Sequence, residues 1–400
     1  MPSYFVVFGR DPALSLLELN EYCQARNNPI QFKEFMGQAA IVETGQEWDI
    51  PAMMAELGGT VKIGSIEVDC AEKELSEKMA SIDWAQRVPA KFRYSISDYT
   101  PEIREDTAPE IVQTALKDCF KQQRLKAVLK WPKARDSAFA GTTPTQLRKQ
   151  KQLSEGLDVL MLESGVHVWV GKTIGVSDPI AWKERDLHRP SKKEFVQTSI
   201  RLSKILLNLS RATRGKNVLD PFCGTGSILM EGLLLGCNVV GVDHDKEMVA
   251  SSKQNTSWLK EQRRVNETAS VFLGDAKTIS KEIRGKNIDC VATEPDLGPY
   301  WRGKPNANEA KQAIQKLEVL YGAFFRELKI LMARGKRVCI IFPEIPSRDG
   351  KRWNVSGNVF ETHGFREIKT PPIAGYRALP YAYKAKNSLI VRKVHVLERA

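Results

Sequence analysis

Between Asn217 and Asp243 the sequence lays out a strand, a glycine turn, a helix and a second strand. Lys216-Asn217-Val218-Leu219-Asp220-Pro221-Phe222-Cys223-Gly224-Thr225-Gly226 is a short apolar run that ends on a carboxylate and breaks into glycines. Ser227–Leu235 has helical apolar spacing, and Asn238–Val242 is a second apolar run ending on Asp243. That acid falls about 20 residues beyond the turn, where a Rossmann-like nucleotide site places one to accept both hydroxyls of a ribose. Glycines let the backbone approach a ligand, and a helix N-terminus offers unpaired N–H groups. No lysine follows the turn, so this is not a phosphate-cradling P-loop. With Asp220 ahead of the turn, the expected ligand carries a positive charge and a ribose. S-adenosylmethionine, with its ammonium and sulfonium, fits better than a dinucleotide.

A chain of 400 residues exceeds one ordinary core, so two or three domains are expected. Hydrophobic content of 42% with 27% charged residues describes a globular protein without a membrane span. Seven dispersed cysteines form no Cys-x-x-Cys pair, and five scattered histidines form no metal box, so a reducing cytoplasm and no metal are expected. Net charge is +12, unevenly spread. Residues 1–90 hold 7 basic and 14 acidic side chains, residues 91–214 hold 23 and 14, and residues 215–400 hold 30 and 20. Contacts with a polyanion therefore belong beyond residue 90, although a solubilising surface reads much the same.

The pattern of residues 1–70 is βαββαβ, a ferredoxin-like unit: strands at 4–8, 30–36, 39–44 and 61–68, helices at 14–23 and 48–57. A second unit, 71–185, has helical material at 73–82, a strand at 91–97, a helix from Ala108 to Arg124, a strand at 126–131, a polar basic loop over 132–152, and strands at 158–162 and 166–170. Residues 186–214 read as a linker and docking helix, with the helix over Phe195–Thr213. From 217 onward strands and helices alternate as in a doubly wound sheet, with a terminal antiparallel edge pair near 364–369 and 387–396.

Three stretches together resemble the THUMP-domain methyltransferases that modify the exocyclic N2 of guanosine in tRNA, particularly at position ten. They are the opening Phe8 to Leu19, the junction Arg185-Asp186 with Arg189-Pro190, and Asp220 to Ser227 with Glu231. The likeness extends over nearly the whole chain. It implies a Rossmann-like class I methyltransferase domain over 215–400, preceded by a ferredoxin-like domain and a THUMP-like α/β domain that grips the acceptor end of tRNA. One motif departs from the pattern. Where such enzymes carry Asp or Asn, Pro-Pro and an aromatic, the strand Ile288–Thr293 leads into Glu294-Pro295-Asp296-Leu297-Gly298-Pro299-Tyr300-Trp301.

Methyl transfer from a sulfonium is an in-line displacement that needs alignment and a directed lone pair. An exocyclic amine needs two acceptors for its N–H groups, and Glu294 with the Pro295 carbonyl sits where the resemblance requires them; Asp296 is the other carboxylate in reach. An extruded base needs an aromatic face. Leu297 cannot supply one, so Tyr300 and Trp301 are the expected replacements, unless both merely pack under the loop. For the cofactor, Asp220, Phe222, Gly224 and Gly226 should hold the methionine end and Asp243 the ribose. The resemblance gives Asp275 and Ala276 to the adenine. Lys91, Arg93, Arg148, Lys149 and Lys151 are expected at phosphates; Arg185 and Arg189 are either RNA contacts or docking ion pairs. Some relatives use a small activating subunit, so a partner is allowed beside a monomer or weak oligomer. Two other readings stay open: methylation of ribosomal RNA or DNA amino groups, and an RNA-binding protein that has lost transfer through its altered fourth-strand motif.

Overall fold

The computed structural model describes residues 1–101, 108–130, 141–192, 198–369, 379–383 and 388–400. The chain divides into two units, Met1–Glu184 and Arg185–Ala400.

The first unit is built on β1 (Ser3–Phe8), β2 (Ile30–Met36), β3 (Ala39–Thr44), β4 (Thr60–Ala71), β5 (Lys91–Asp98), β6 (Lys126–Leu129), β7 (Gly156–Ser164) and β8 (His167–Val176). They form one eight-stranded sheet in the order β2-β3-β1-β4-β8-β7-β5-β6. β4 runs twelve residues, pairing antiparallel with β1 on one side and β8 on the other. The segments expected as separate units, 1–70 and 71–185, thus share a continuous sheet. Trp84, Phe92, Tyr94 and Phe120 pack edge-on or tilted beneath the second half. The loop expected over 132–152 is a correction in part. Pro144–Lys149 is helical, started by a Thr143–Gln146 capping box with Pro144 in its first turn, and Gln152–Glu155 is a further turn of helix. Residues 132–140 of that loop lie outside the described residues.

A buried charged network crosses this sheet. Lys62 Nζ donates to Asp158 Oδ2 at 2.8 Å, and Ser95, Ser97 and Thr173 hydroxyls also donate to that carboxylate, at 2.7, 3.0 and 2.7 Å. Lys62 and Asp158 have side chains only 1% and 0% exposed, so the pair survives because every acceptor is met.

The second unit contains β9 (Asn217–Asp220), β10 (Asn238–Asp243), β11 (Ala269–Leu273), β12 (Ile288–Thr293), β13 (Met332–Pro346), β14 (Arg352–Asn354), β15 (Phe365–Glu367), β16 (Tyr381–Tyr383) and β17 (Val391–Arg399). The sheet order is β11-β10-β9-β12-β13-β17-β15, with β14 on β13 and β16 on β17. β9 to β13 are parallel, and β17 enters antiparallel between β13 and β15. The edge is therefore β15, and β17 is interior. The order reverses between β9 and β12, which opens a crevice at their carboxyl ends. The helix Ala307–Leu331 covers one face through Leu317, Tyr321, Phe324, Phe325 and Leu328.

The docking helix is Ile200–Leu209, shorter than expected. Ser199 caps it by accepting from the Leu202 N–H at 3.3 Å, and Arg211 in the left-handed region (φ 59°) closes it. The expected start at Phe195 lies outside the described residues. All seven cysteines are buried, and among the described residues no helix is long and apolar enough to cross a membrane.

Candidate active site

Four strand ends meet at the crevice, and each contributes one polar group by the register of the sheet. β9 ends on Asp220, which is buried at 2% exposure. Its Oδ1 accepts the Thr293 hydroxyl at 2.7 Å and the Phe222 N–H at 3.2 Å. No described cation pairs with it. Burial pushes its carboxyl up to about 7; the two hydrogen bonds pull against that, while Asp243 and Glu294 add to it. A buried carboxylate surrounded by other acids suits a ligand that brings a positive charge.

The glycine turn follows. Gly224 (φ 50°) and Gly226 (φ 86°) are both left-handed, a conformation costly for any residue with a Cβ. At Gly226 a Cβ would stand 2.6 Å from Ser252 Oγ, so the backbone packs tightly there. At Gly224 a Cβ would meet nothing within 4 Å, so the turn faces open space. The helix Ser227–Leu234 starts from Gly226 with no side-chain cap. Asn255 holds the turn from behind, its Nδ2 donating to the Thr225 carbonyl at 2.9 Å. Phe222 seats edge-on against Phe324, with centroids 5.6 Å apart. Cys223 is buried and its thiol is pushed well up by desolvation, which makes it packing rather than a nucleophile.

Asp243 ends β10, with Oδ2 accepting the Gly224 N–H at 2.8 Å and Oδ1 the Asp245 N–H at 2.9 Å. The same carboxylate that would face a ribose thus fixes the turn. Asp275 follows β11 and caps the short helix Ala276–Thr278, accepting the Lys277 N–H at 2.9 Å with the Lys277 ammonium at 3.1 Å. Burial alone would raise its carboxyl, but the Lys277 hydrogen bonds and charge hold it below the usual range. Ala276 is buried behind it.

Glu294 follows β12 with its side chain 9% exposed. One carboxylate oxygen takes the Arg392 Nε from β17, and the other accepts the Thr198 hydroxyl at 2.6 Å. Pro295 is buried, and among the described residues its carbonyl accepts no hydrogen bond. Asp296 is exposed and occupied by its own loop, Oδ1 accepting the Gly298 N–H at 2.9 Å, while Tyr321 donates its phenol to the Asp296 carbonyl. Tyr300 is 86% exposed. Trp301 is half-buried against Ala310, Ala313, Ile314 and Ile345, beside Trp353. Sequence reasoning missed Thr198, Thr293 and Arg392. Thr293 was legible as a strand end; Arg392 reaches Glu294 only through sheet register.

The basic residues divide. Lys91 and Arg93 are exposed two apart on β5, and Lys149 is exposed on its helix. Lys151, in the left-handed region, lies 3.5 Å from Glu155. The three arginines already have partners within the fold. Arg148 spends its guanidinium on the Val176 and Ser177 carbonyls at 2.9 Å each and on Asp178 at 3.1 Å. Arg185 forms a two-pronged pair with Glu231, which Lys204 approaches at 3.4 Å. Arg189 is 3% exposed, bound to Ser227 Oγ at 3.0 Å and Asp186 at 2.9 Å. The Arg185 and Arg189 side chains, 11% and 2% exposed and bound to acids, fit the docking alternative, whereas that of Arg148 keeps 38% exposure.

The RMKL-like methyltransferase domain matches residues 192–348. Over 146 residues the chain is 32% identical to a tRNA (guanine(10)-N2)-dimethyltransferase of Pyrococcus abyssi, a stretch spanning 36% of this chain and 42% of that relative. It is 34% identical over 109 residues to a probable tRNA (guanine(10)-N2)-dimethyltransferase of Methanothermococcus thermolithotrophicus, spanning 27% of this chain and 67% of that one. Its fold is similar to the crystal structure of TrmN from Thermus thermophilus, with a TM-score of 0.55 at 14% identity and full coverage of both chains.

Proposed function

Because the chain belongs to the family of tRNA (guanine(10)-N2)-dimethyltransferases, we propose that it methylates the exocyclic N2 of a guanosine in tRNA with S-adenosylmethionine as donor. The observation that carries this reading is Asp220: a buried carboxylate with a raised pKa and no cationic partner among the described residues, beside a glycine turn that faces open space. A ligand with an ammonium group and a ribose fits that set, with Asp220 and the Gly224 and Gly226 region at its amino-acid end, Asp243 at its ribose and Asp275 with Ala276 at its base.

The bound cofactor supplies an electrophilic methyl on a sulfonium. The chain's own residues do the rest. The guanine amine is a weak nucleophile because its lone pair is delocalised into the ring. Glu294 and the Pro295 carbonyl accept its two N–H groups, which turns the lone pair toward the methyl. On gaining the methyl the amine must shed a proton, and the Glu294 carboxylate would be the acceptor within reach. Thr198 and Arg392 now occupy that carboxylate, so substrate must displace or share at least the Thr198 hydrogen bond.

The same reading makes 1–70 a ferredoxin-like spacer, 71–185 a THUMP-like RNA grip, 186–214 a docking segment and 215–400 the catalytic domain, acting in the cytoplasm. Lys91, Arg93, Lys149 and Lys151 remain the phosphate contacts of the grip. The test is transfer of labelled methyl into unmodified tRNA in competition with ribosomal RNA and DNA. Preferential labelling of tRNA is expected; preferential labelling of either competitor overturns the substrate assignment.

A further inference from the structure

Two loops at the carboxyl ends of β12 and β13 are joined into one surface. The Arg348 N–H donates to the Pro305 carbonyl at 2.9 Å, and its Nε to the Lys304 carbonyl at 2.8 Å. The Ser347 N–H closes the second loop on the Lys351 carbonyl at 2.9 Å, and Trp353 Nε1 donates to Ser347 Oγ at 3.2 Å. Beneath them Trp301 and Trp353 pack on the same apolar cluster. The backbone of the double loop is therefore fixed before any partner arrives.

Its outer side is basic. Arg302, Lys304, Arg348, Lys351 and Arg352 are exposed, and Tyr300 stands out beside them. Arg352 is answered by Glu344 at 2.8 Å and Lys351 by Asp349 at 3.6 Å. Arg302 and Lys304 have no acidic partner among the described residues. Like charges held together on a rigid frame repel, and that repulsion is relieved by an anion. The loop carrying Tyr300, Arg302 and Lys304 begins at Glu294 itself, six to ten residues before them, at the same carboxyl end of the sheet. A nucleotide drawn out of its stack brings its flanking phosphates to that position, and an exposed aromatic among cations suits a base beside a phosphate chain.

We propose that this double loop is an RNA-contact surface of the catalytic domain, with Arg302 and Lys304 on phosphates that flank the methylated guanosine. The proposal rests on the RNA-methylation reading and adds a surface that does not depend on the first unit's basic residues.

The test uses the full chain and an unmodified tRNA transcript, with affinity followed against salt concentration. Arg302→Ala with Lys304→Ala leaves intact the backbone carbonyl that Arg348 uses. This variant should bind the transcript about tenfold more weakly and lower the salt slope by about 1 to 2, as the loss of two phosphate contacts requires. Cofactor affinity should stay unchanged. Arg326→Ala with Lys329→Ala, exposed near the far end of a helix about 37 Å long, removes the same charge elsewhere and should do little. An unchanged affinity and slope in the first variant, or an equal loss in the second, overturns the surface while wild-type methylation still stands; in the first case an acidic protein becomes the better partner. Failure of the wild-type chain to bind RNA at all overturns the surface and the function together.

Discussion

Arg392 on β17 grips the Glu294 carboxylate at the end of β12, across 98 positions of sequence. The Arg392 side chain is 22% exposed and that of Glu294 9%, so the pair is shielded from water though not fully buried. With one oxygen fixed by the guanidinium, the other, held by Thr198, points in a defined direction. Under the proposed mechanism Arg392 is a positioning residue for Glu294. Arg392→Met should lower kcat on saturating tRNA by about tenfold or more, with cofactor affinity unchanged. Arg392→Lys should recover part of the loss, since a point charge replaces a planar fork. Steady-state kinetics and calorimetry separate the two effects, and an equal loss of cofactor binding would show a merely structural role.

Asp220 predicts a pH dependence whose sign is fixed by its raised pKa. Between the ordinary carboxylate value of 3.8 and about 7, the folded chain keeps a proton that the unfolded chain has released. Stability therefore falls as pH rises through that window, by up to about 1.4 kcal/mol per unit, and levels off above about 7. Asp220→Asn should gain stability relative to wild type over the same window and match it near pH 4. Cofactor binding runs the other way. A cationic ligand favours the ionised carboxylate, so affinity should drop as pH falls below about 7, with a proton released on binding. Titration calorimetry at pH 6 and 8 checks this; identical affinity and no proton release at pH 6 would contradict it.

The two aromatics beyond Glu294 should behave differently. Tyr300 is exposed and packs on nothing that folding requires, so Tyr300→Ala should leave the melting temperature alone. If it stacks on the target base, kcat/KM for tRNA should fall about tenfold, the range of one base–aromatic contact. Trp301 is packed against the Ala310 and Ile345 cluster, so Trp301→Ala should cost about 2 kcal/mol of stability, less than the ~3–5 kcal/mol of a fully buried tryptophan. Matching stability losses in the two variants would contradict the distinction.

The sequence disclosed the fold of the second unit well because its signals are local. Asp220, the glycine turn and Asp243 sit within one strand–helix–strand unit, and β12 begins and ends where its apolar run does. What escaped it is non-local. Arg392 lies near the end of the chain and reaches Glu294 only because β17 inserts beside β13, a register that no spacing reveals. Arg148 reads as a phosphate contact, and Arg185 and Arg189 as either RNA contacts or docking ion pairs, because charge alone does not say whether an acid or a carbonyl will cover it. The single sheet of the first unit was hidden for the same reason: β4 reads as the last strand of one pattern, yet from Lys62 to Ala71 it pairs with β8, about a hundred residues away in sequence.

Lys62 makes that first sheet testable. Lys62→Met leaves the Asp158 carboxylate buried without its cation, and unfolding in urea should show a loss of about 3–5 kcal/mol. A loss below about 1 kcal/mol would mean that the Ser95, Ser97 and Thr173 hydroxyls alone suffice.

The most direct measurement of the whole account is nucleoside mass spectrometry after incubating the purified chain with unmodified total RNA and deuterated-methyl S-adenosylmethionine. Labelled N2-methylguanosine is expected in the tRNA fraction and should be lost in Glu294→Ala. Intact binding of cofactor and RNA with no labelled nucleoside would contradict the account and favour an RNA-binding protein or a missing partner subunit.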